Sequence, residues 1–436
     1  MKAPADFDFL DPQLQSDPLD FFAALRKQAP VYLEPRTGAY FITRAEDIRA
    51  AVSQPEVFSN EVDPSVFRVC QGLSLEQRDP EVAQRLKEKG WLVPHTLLLT
   101  DPPVHGRYRR LVMEALSAQA IRRIEPLIKA QIDRYLEPFD QGETVDFLAA
   151  FAQKLPVSII LNFLGASLDH LDNVNAWADQ FFSTMMGQTS REEYLKSVDA
   201  IAEVHKFIAT RVEEIEQRPD HSLLSTLMHA HEATGDAPLT LEELLSICQV
   251  LLMAGHDTTR QTLTNAVCAL ATRPEVLRRL DANRELIRSF VDEVVRLYSP
   301  ANVTSRFTIQ DTTLGGVHIP KHSTVFICWG SGNRDEQLFP AADELRCPRE
   351  NLSAHMGFGY GIHFCVGMRL AKAQLGLTIE ALLDRYSEIT LAVEPDELSY
   401  APAINLRALT SLPIRCRLRA QDRSSDGASA REATVS

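Results

Sequence analysis

Phe358-Gly-Tyr-Gly-Ile-His-Phe-Cys365-Val-Gly367 is the stretch whose reading decides the fold. Glycines at 357, 359, 361 and 367 surround one cysteine, and the helical pattern MRLAKAQLGLTIEALL follows at once. Glycine lets a backbone turn tightly and approach a flat ligand closely. A cysteine at the mouth of a helix meets the dipole's positive end and unpaired amides, which favour its thiolate form. Two plainer readings compete. One is a buried free thiol in a glycine-rich turn; the other is a zinc site shared with Cys347, His355 and His363. Seven residues lie between 347 and 355, and seven between 355 and 363, unlike the short pairs of zinc sites.

Outward from this loop the chain reads as globular, with 45% apolar and 24% charged residues among 436. A formal net charge of −14 argues against a general nucleic-acid binder, which needs basic surface. The acidic, proline-broken start MKAPADFDFLDPQLQSDP has neither the basic head nor the apolar stretch of a secretion signal. No run approaches the roughly 18 apolar residues of a membrane span. Seven cysteines, at 70, 248, 268, 328, 347, 365 and 416, are odd in number and scattered, which fits a reducing cytoplasm better than a disulfide scaffold. The polar tail over 419–436 reads as disordered.

Helical periodicity predicts helices over Pro18–Gln28, Arg44–Ser53, Pro103–Glu114, Ala118–Leu136, Val145–Leu164, Leu168–Met186, Arg191–Gln217, Leu241–Thr272, Pro274–Leu280, Glu285–Tyr298 and Gly367–Tyr386. Strand-like runs fall at Val31–Leu33, Ala39–Thr43, Ser305–Ile309, Gly316–Ile319 and Thr324–Trp329. Two long irregular stretches remain: Ser59–Thr100, with a helical piece at Pro80–Lys89, and the segment between Trp329 and Cys365.

The longest helix opens on the capping box Thr240-Leu-Glu-Glu243. At its centre, Ala254-Gly-His-Asp-Thr258 places glycine, aspartate and threonine where they are poor helix formers. That interruption predicts a local distortion. Glu293 and Arg296 stand three apart on one helix face, and His105 and Arg109 four apart on another.

The ten residues from Phe358 to Gly367 resemble the haem loop of cytochromes P450, Phe-x-x-Gly-x-x-x-Cys-x-Gly, at every fixed position. The resemblance extends from about Asp17 to Cys416, with the other motifs in the family's order. It implies a mainly α cytochrome P450 fold with a small β-rich region, one large domain over 1–418. It implies haem b with Cys365 as the iron's axial ligand, a role in which a thiolate donates electron density and favours O–O cleavage. Phe358 would shield the sulfur, and Gly359, Gly361 and Gly367 would let the loop pass close to the macrocycle.

In the long helix the resemblance assigns Thr258 to hydrogen-bond dioxygen and Asp257 to relay protons from solvent, as general acids do. It gives His256 no role. Glu293 and Arg296 resemble the family's buried pair, joined by Arg349 or by Arg346. His105, Arg109, Arg306 and His363 would hold the haem propionates. Arg107, Arg110, Arg369 and Lys372 would form a basic surface for an acidic electron donor. Val250, Ala254 and Val303 would line the substrate pocket.

The implied activity is insertion of one oxygen atom from O2 into a hydrophobic small molecule, by a cytoplasmic monomer without membrane anchor. The chain ends about seventy residues past the cysteine, so electrons are expected from a separate ferredoxin and its reductase. A peroxide-driven peroxygenase and a haem-binding sensor are the alternatives; Asp257 and Thr258 argue against both.

Overall fold

The computed structural model describes residues 2–61, 80–183 and 190–420. Helices run through α1 (Pro12–Ser16), α2 (Leu19–Gln28), α3 (Ala45–Val52), α4 (Pro80–Lys89), α5 (Val104–Ala115), α6 (Ala118–Leu136), α7 (Lys154–Phe163) and α8 (Leu171–Ser183). They continue through α9 (Arg191–Gln217), α10 (Leu223–Thr234), α11 (Leu241–Thr272), α12 (Pro274–Ala282), α13 (Leu286–Tyr298), α14 (Trp329–Gly332) and α15 (Met368–Arg385). Strands are β1 (Val31–Leu33), β2 (Tyr40–Ile42), β3 (Phe58–Ser59), β4 (Val145–Asp146), β5 (Thr304–Thr308), β6 (Thr312–Leu314), β7 (Val317–Ile319), β8 (Thr324–Ile327), β9 (Tyr386–Leu391) and β10 (Pro413–Leu418).

Capping chemistry sets many helix starts. The hydroxyls of Ser117, Ser190, Ser222 and Thr240 accept from backbone amides three residues on, answering donors that a helix start leaves unpaired. Glu193 and Glu243 close reciprocal boxes at α9 and α11. Such caps contribute about 1 kcal/mol each.

α11 is the axis of the main core. Leu245, Ile247, Leu252, Leu263, Val267 and Leu270 are fully or almost fully buried, packed among α7, α9, α13 and α15. The five-stranded sheet has the order β1-β2-β8-β5-β3, with β2 and β8 parallel. A second core lies against it, including Ile42, Ile48, Phe58 and Trp329. Phe9, Phe21, Phe22, Phe41 and Phe326 make a third, aromatic cluster. β4-β10-β9 form a separate sheet.

Several expectations change. The helix expected over Val145–Leu164 is divided: Val145 and Asp146 pair with Ile414 and Pro413 in β10, a π-turn follows at Leu148–Ala152, and α7 begins at Lys154. α10, β3, β4, β6, β9 and β10 were absent from the periodicity reading. The end of the helix expected to Met186, part of the irregular Ser59–Thr100 stretch, and the tail after 420 lie outside the described residues. Among those described, no helix is long and apolar enough to cross a membrane.

Candidate active site

The cysteine loop is held by its own backbone. The amide of Cys365 donates to Phe358 O at 2.8 Å, and Gly359 N to Met356 O at 2.9 Å. Gly359 (φ +77°) and Gly361 (φ +72°) take left-handed conformations, which L side chains enter at a cost. At Gly361 a Cβ would also stand 3.1 Å from Val52 O.

Cys365 sits just before α15 and is the one exposed cysteine among the described residues; Cys248, Cys268, Cys328, Cys347 and Cys416 are buried. Protein nevertheless surrounds it closely enough that burial pushes its thiol up, against the pull of the Gly367 and Met368 amides and the Arg109 charge. Cys365 is thus exposed at the surface of the loop yet closely surrounded by protein. Phe358 stands 6.4 Å from the Phe364 ring, with Lys372 Nζ 5.5 Å over its face.

α11 passes with no break in its helical pattern, so the expected distortion at its centre is not there. Thr258 Oγ1 donates to Ala254 O at 2.7 Å, and Thr262, Thr264 and Thr272 bond back in the same way, so their hydroxyls are satisfied inside the helix. Ala254 is exposed and Thr258 partly so. Asp257 is buried and ion-paired with Arg260; burial raises its carboxyl above the usual range.

The expected propionate set comes together. The rings of His105 and His363 are 4.2 Å apart, and burial lowers both, His105 to about 4. Arg306 is buried and gives Nη1 to Ser305 O at 2.7 Å; burial lowers it to about 10, still a cation at neutral pH. Half-buried Arg109 has no carboxylate partner among the described residues. Asp101, which the motif reading passed over, lies 3.7 Å from His363 Nε2 and accepts from Ser59. It is the cluster's one carboxylate among the described residues, too little to answer two guanidinium groups.

Glu293, Arg296 and Arg349 form a buried triad. Arg296 Nε and Arg349 Nε reach Glu293 at 2.7 and 2.9 Å. Arg296 also donates to Asn333 O and Ala342 O, and Arg349 to Pro340 O and Glu344 O. The third charge is therefore Arg349; Arg346 gives only its amide to Glu293 and turns its guanidinium to Glu344.

Other expected residues lie elsewhere or are engaged. Val303 is buried and packs in the aromatic cluster by β5 and β8. Val250 is half-buried against the main core. Arg107 binds Glu243 at 2.7 Å, Arg110 binds Asp236 at 2.6 Å, and Lys372 binds Asp292 at 2.5 Å. Of the four expected docking cations, only exposed Arg369 has no acidic partner among the described residues.

Cations in excess of anions beside an exposed thiol, among the described residues, call for a ligand that brings carboxylates of its own, as haem does with its propionates. The chain belongs to the cytochrome P450 family, whose model matches residues 71–407. It is 31% identical over 378 residues to cytochrome P450 107B1 of Saccharopolyspora erythraea, covering 86% of this chain and 89% of that one. It is also 31% identical over 401 residues to the vitamin D(3) 25-hydroxylase of Pseudonocardia autotrophica, covering 91% and 93%. The crystal structure of CYP109E1 from Bacillus megaterium in complex with testosterone superposes with a TM-score of 0.78 at 25% identity, over 93% of this chain and 99% of that one. The fold is thus the mainly α P450 fold, the cofactor is haem b on a cysteine thiolate, and the protein is an oxidoreductase of the monooxygenase class.

Proposed function

We propose that this chain hydroxylates an apolar, multi-ring small molecule, drawing electrons from a separate ferredoxin and its reductase. The observation that carries the reading is the placement of one exposed thiol, Cys365, in a loop near two guanidinium groups, Arg109 and Arg306, that have no carboxylate ion pair among the described residues. Cys365 is the axial ligand; His105, Arg109, Arg306 and His363 hold the propionates. Bound haem supplies the activation of dioxygen. The protein's own groups then decide where protons go.

Thr258 can turn its hydroxyl from Ala254 O to a ligand above it, because Ala254 carries only a methyl group to obstruct the turn. Asp257 behind it carries protons from solvent, and delivery by positioned acids favours productive bond cleavage over loss of peroxide. A peroxygenase needs no such pair, and a haem sensor gains nothing from it. For the substrate, the named activity of the vitamin D(3) relative and the testosterone bound to the structural relative favour a rigid apolar molecule. Leu98, 46% exposed beside the start of α5, and Val250 and Ala254 offer apolar contact.

Reduced protein under carbon monoxide should show the red-shifted absorption band of thiolate-ligated haem. Cys365→His should bind haem without that band; if the band survives the substitution, the axial assignment is wrong.

A further inference from the structure

Arg260 is shared by two carboxylates that differ in every physical respect. On one side is Asp257, three residues earlier on α11, with 1% of its side chain exposed. On the other is Asp179 of α8, 50% exposed, whose Oδ1 lies 3.2 Å from Arg260 Nη1. Arg260 itself is 12% exposed. Gln153, after the π-turn, reaches Asp179 Oδ2 at 3.4 Å. Both Asp257 oxygens are buried, and among the described residues the Arg260 guanidinium is the one cation acting on them.

We infer that Arg260 is a positioning residue for proton delivery, dividing its charge between buried Asp257 and half-exposed Asp179, and so tying the proton affinity of Asp257 to the placement of α8. This rests on the proposed function of the Asp257–Thr258 pair. A relay carboxyl must take a proton from solvent and give it up again, so it works best with a proton affinity near the working pH. Burial alone would hold Asp257 protonated and unable to cycle. Arg260 opposes that, and Asp179 opposes Arg260; burial, the first of these, is the largest influence.

Other groups nearby do not take this part. His256, four residues before Arg260 and 1% exposed, is lowered to about 3 by burial and by Arg260, so it stays neutral at working pH. From α8 the charged group acting on Asp257 is Asp179 alone. Any shift of α8 that loosens the 3.2 Å contact returns Arg260 wholly to Asp257. A ligand under α8 would then tune the acid without touching it.

The two partners of Arg260 should have opposite effects. The readout is an infrared pH titration of the full haem-loaded chain, following the carbonyl stretch of a protonated buried carboxyl, assigned by its absence in Asp257→Asn. Arg260→Gln should raise the titration midpoint by at least about one pH unit, and Arg260→Lys should bring it back. Asp179→Asn should lower it. The pH optimum of product formed per NADH should move the same way. A midpoint unmoved in Arg260→Gln, or moved the same way by both charge removals, overturns the inference. The carbon-monoxide band, measured on the same samples, separates this from failure of the haem-thiolate reading.

Discussion

Arg296 donates to Glu293 twice, Nε to Oε2 at 2.7 Å and Nη2 to Oε1 at 2.8 Å, with both side chains fully buried. A pair so deep is tolerable only because every remaining donor is answered, here by carbonyls of the 333–344 segment. That segment leads towards the cysteine loop, and Asn333 Oδ1 accepts from Met356 N at 2.6 Å. Glu293→Ala would leave two buried guanidinium groups without their carboxylate, and should cost about 3–5 kcal/mol, read as a lower urea midpoint with reduced haem content. If the variant unfolds within about 1 kcal/mol of the parent, the triad has no such structural role.

Thr258→Ala removes a hydroxyl that otherwise rests on Ala254 O. Helix stability should change little, since alanine is the better helix former. Coupling should suffer: product per NADH is expected to fall by roughly tenfold or more, with peroxide rising to match. Peroxide release equal to that of the parent would remove Thr258 from proton delivery.

Arg306 is the most deeply placed of the rim cations. Arg306→Gln keeps some hydrogen bonding and removes the charge. A charge-assisted bond to a propionate is worth roughly 1.5–3 kcal/mol, so haem should leave about 10–100 times faster, measured by transfer to a competing apoprotein. An unchanged rate would place the propionates elsewhere.

His256 gives stability a pH dependence with a definite sign. Its folded value of about 3 lies below the ordinary 6.5, so the unfolded chain binds the proton more readily. Stability from this residue is complete above about pH 6.5 and is lost as pH falls towards 3. At pH 5 the loss should be about 2 kcal/mol relative to neutral pH. His256→Leu should flatten that part of the urea stability profile; a profile of unchanged slope would show that another group is responsible.

Much of this was legible where chemistry is local. α6, α9 and α11 begin and end where their caps and periodicity put them, because a capping box is written in four adjacent residues. The cysteine loop, the acid–threonine pair and the Glu293–Arg296 pair are short motifs of the same kind. Long-range pairing was less legible. β4 is two residues long and precedes an apolar helical run, so only its partner in β10 reveals it. α10 had its signals, Ser222 at one end and Gly235 at the other, but its weakly amphipathic sequence hid them. Arg107 and Arg110 read as free charges because Glu243 and Asp236 lie more than a hundred residues further on. Asp101 was overlooked because it stands outside the His105–Arg109 spacing.

The parallel pairing of Tyr40 with Val325 and Ile42 with Ile327 has a consequence for synthesis. While the chain is emerging from the ribosome, β1 and β2 form a hairpin with an open edge until β8 appears, long after the aromatic residues around Phe21 and Phe41 have been made. Exposed apolar surface and an unpaired strand edge invite association with neighbouring nascent chains. Slowing translation before residue 325 should therefore lower the soluble yield, and extra chaperone capacity during that interval should restore it.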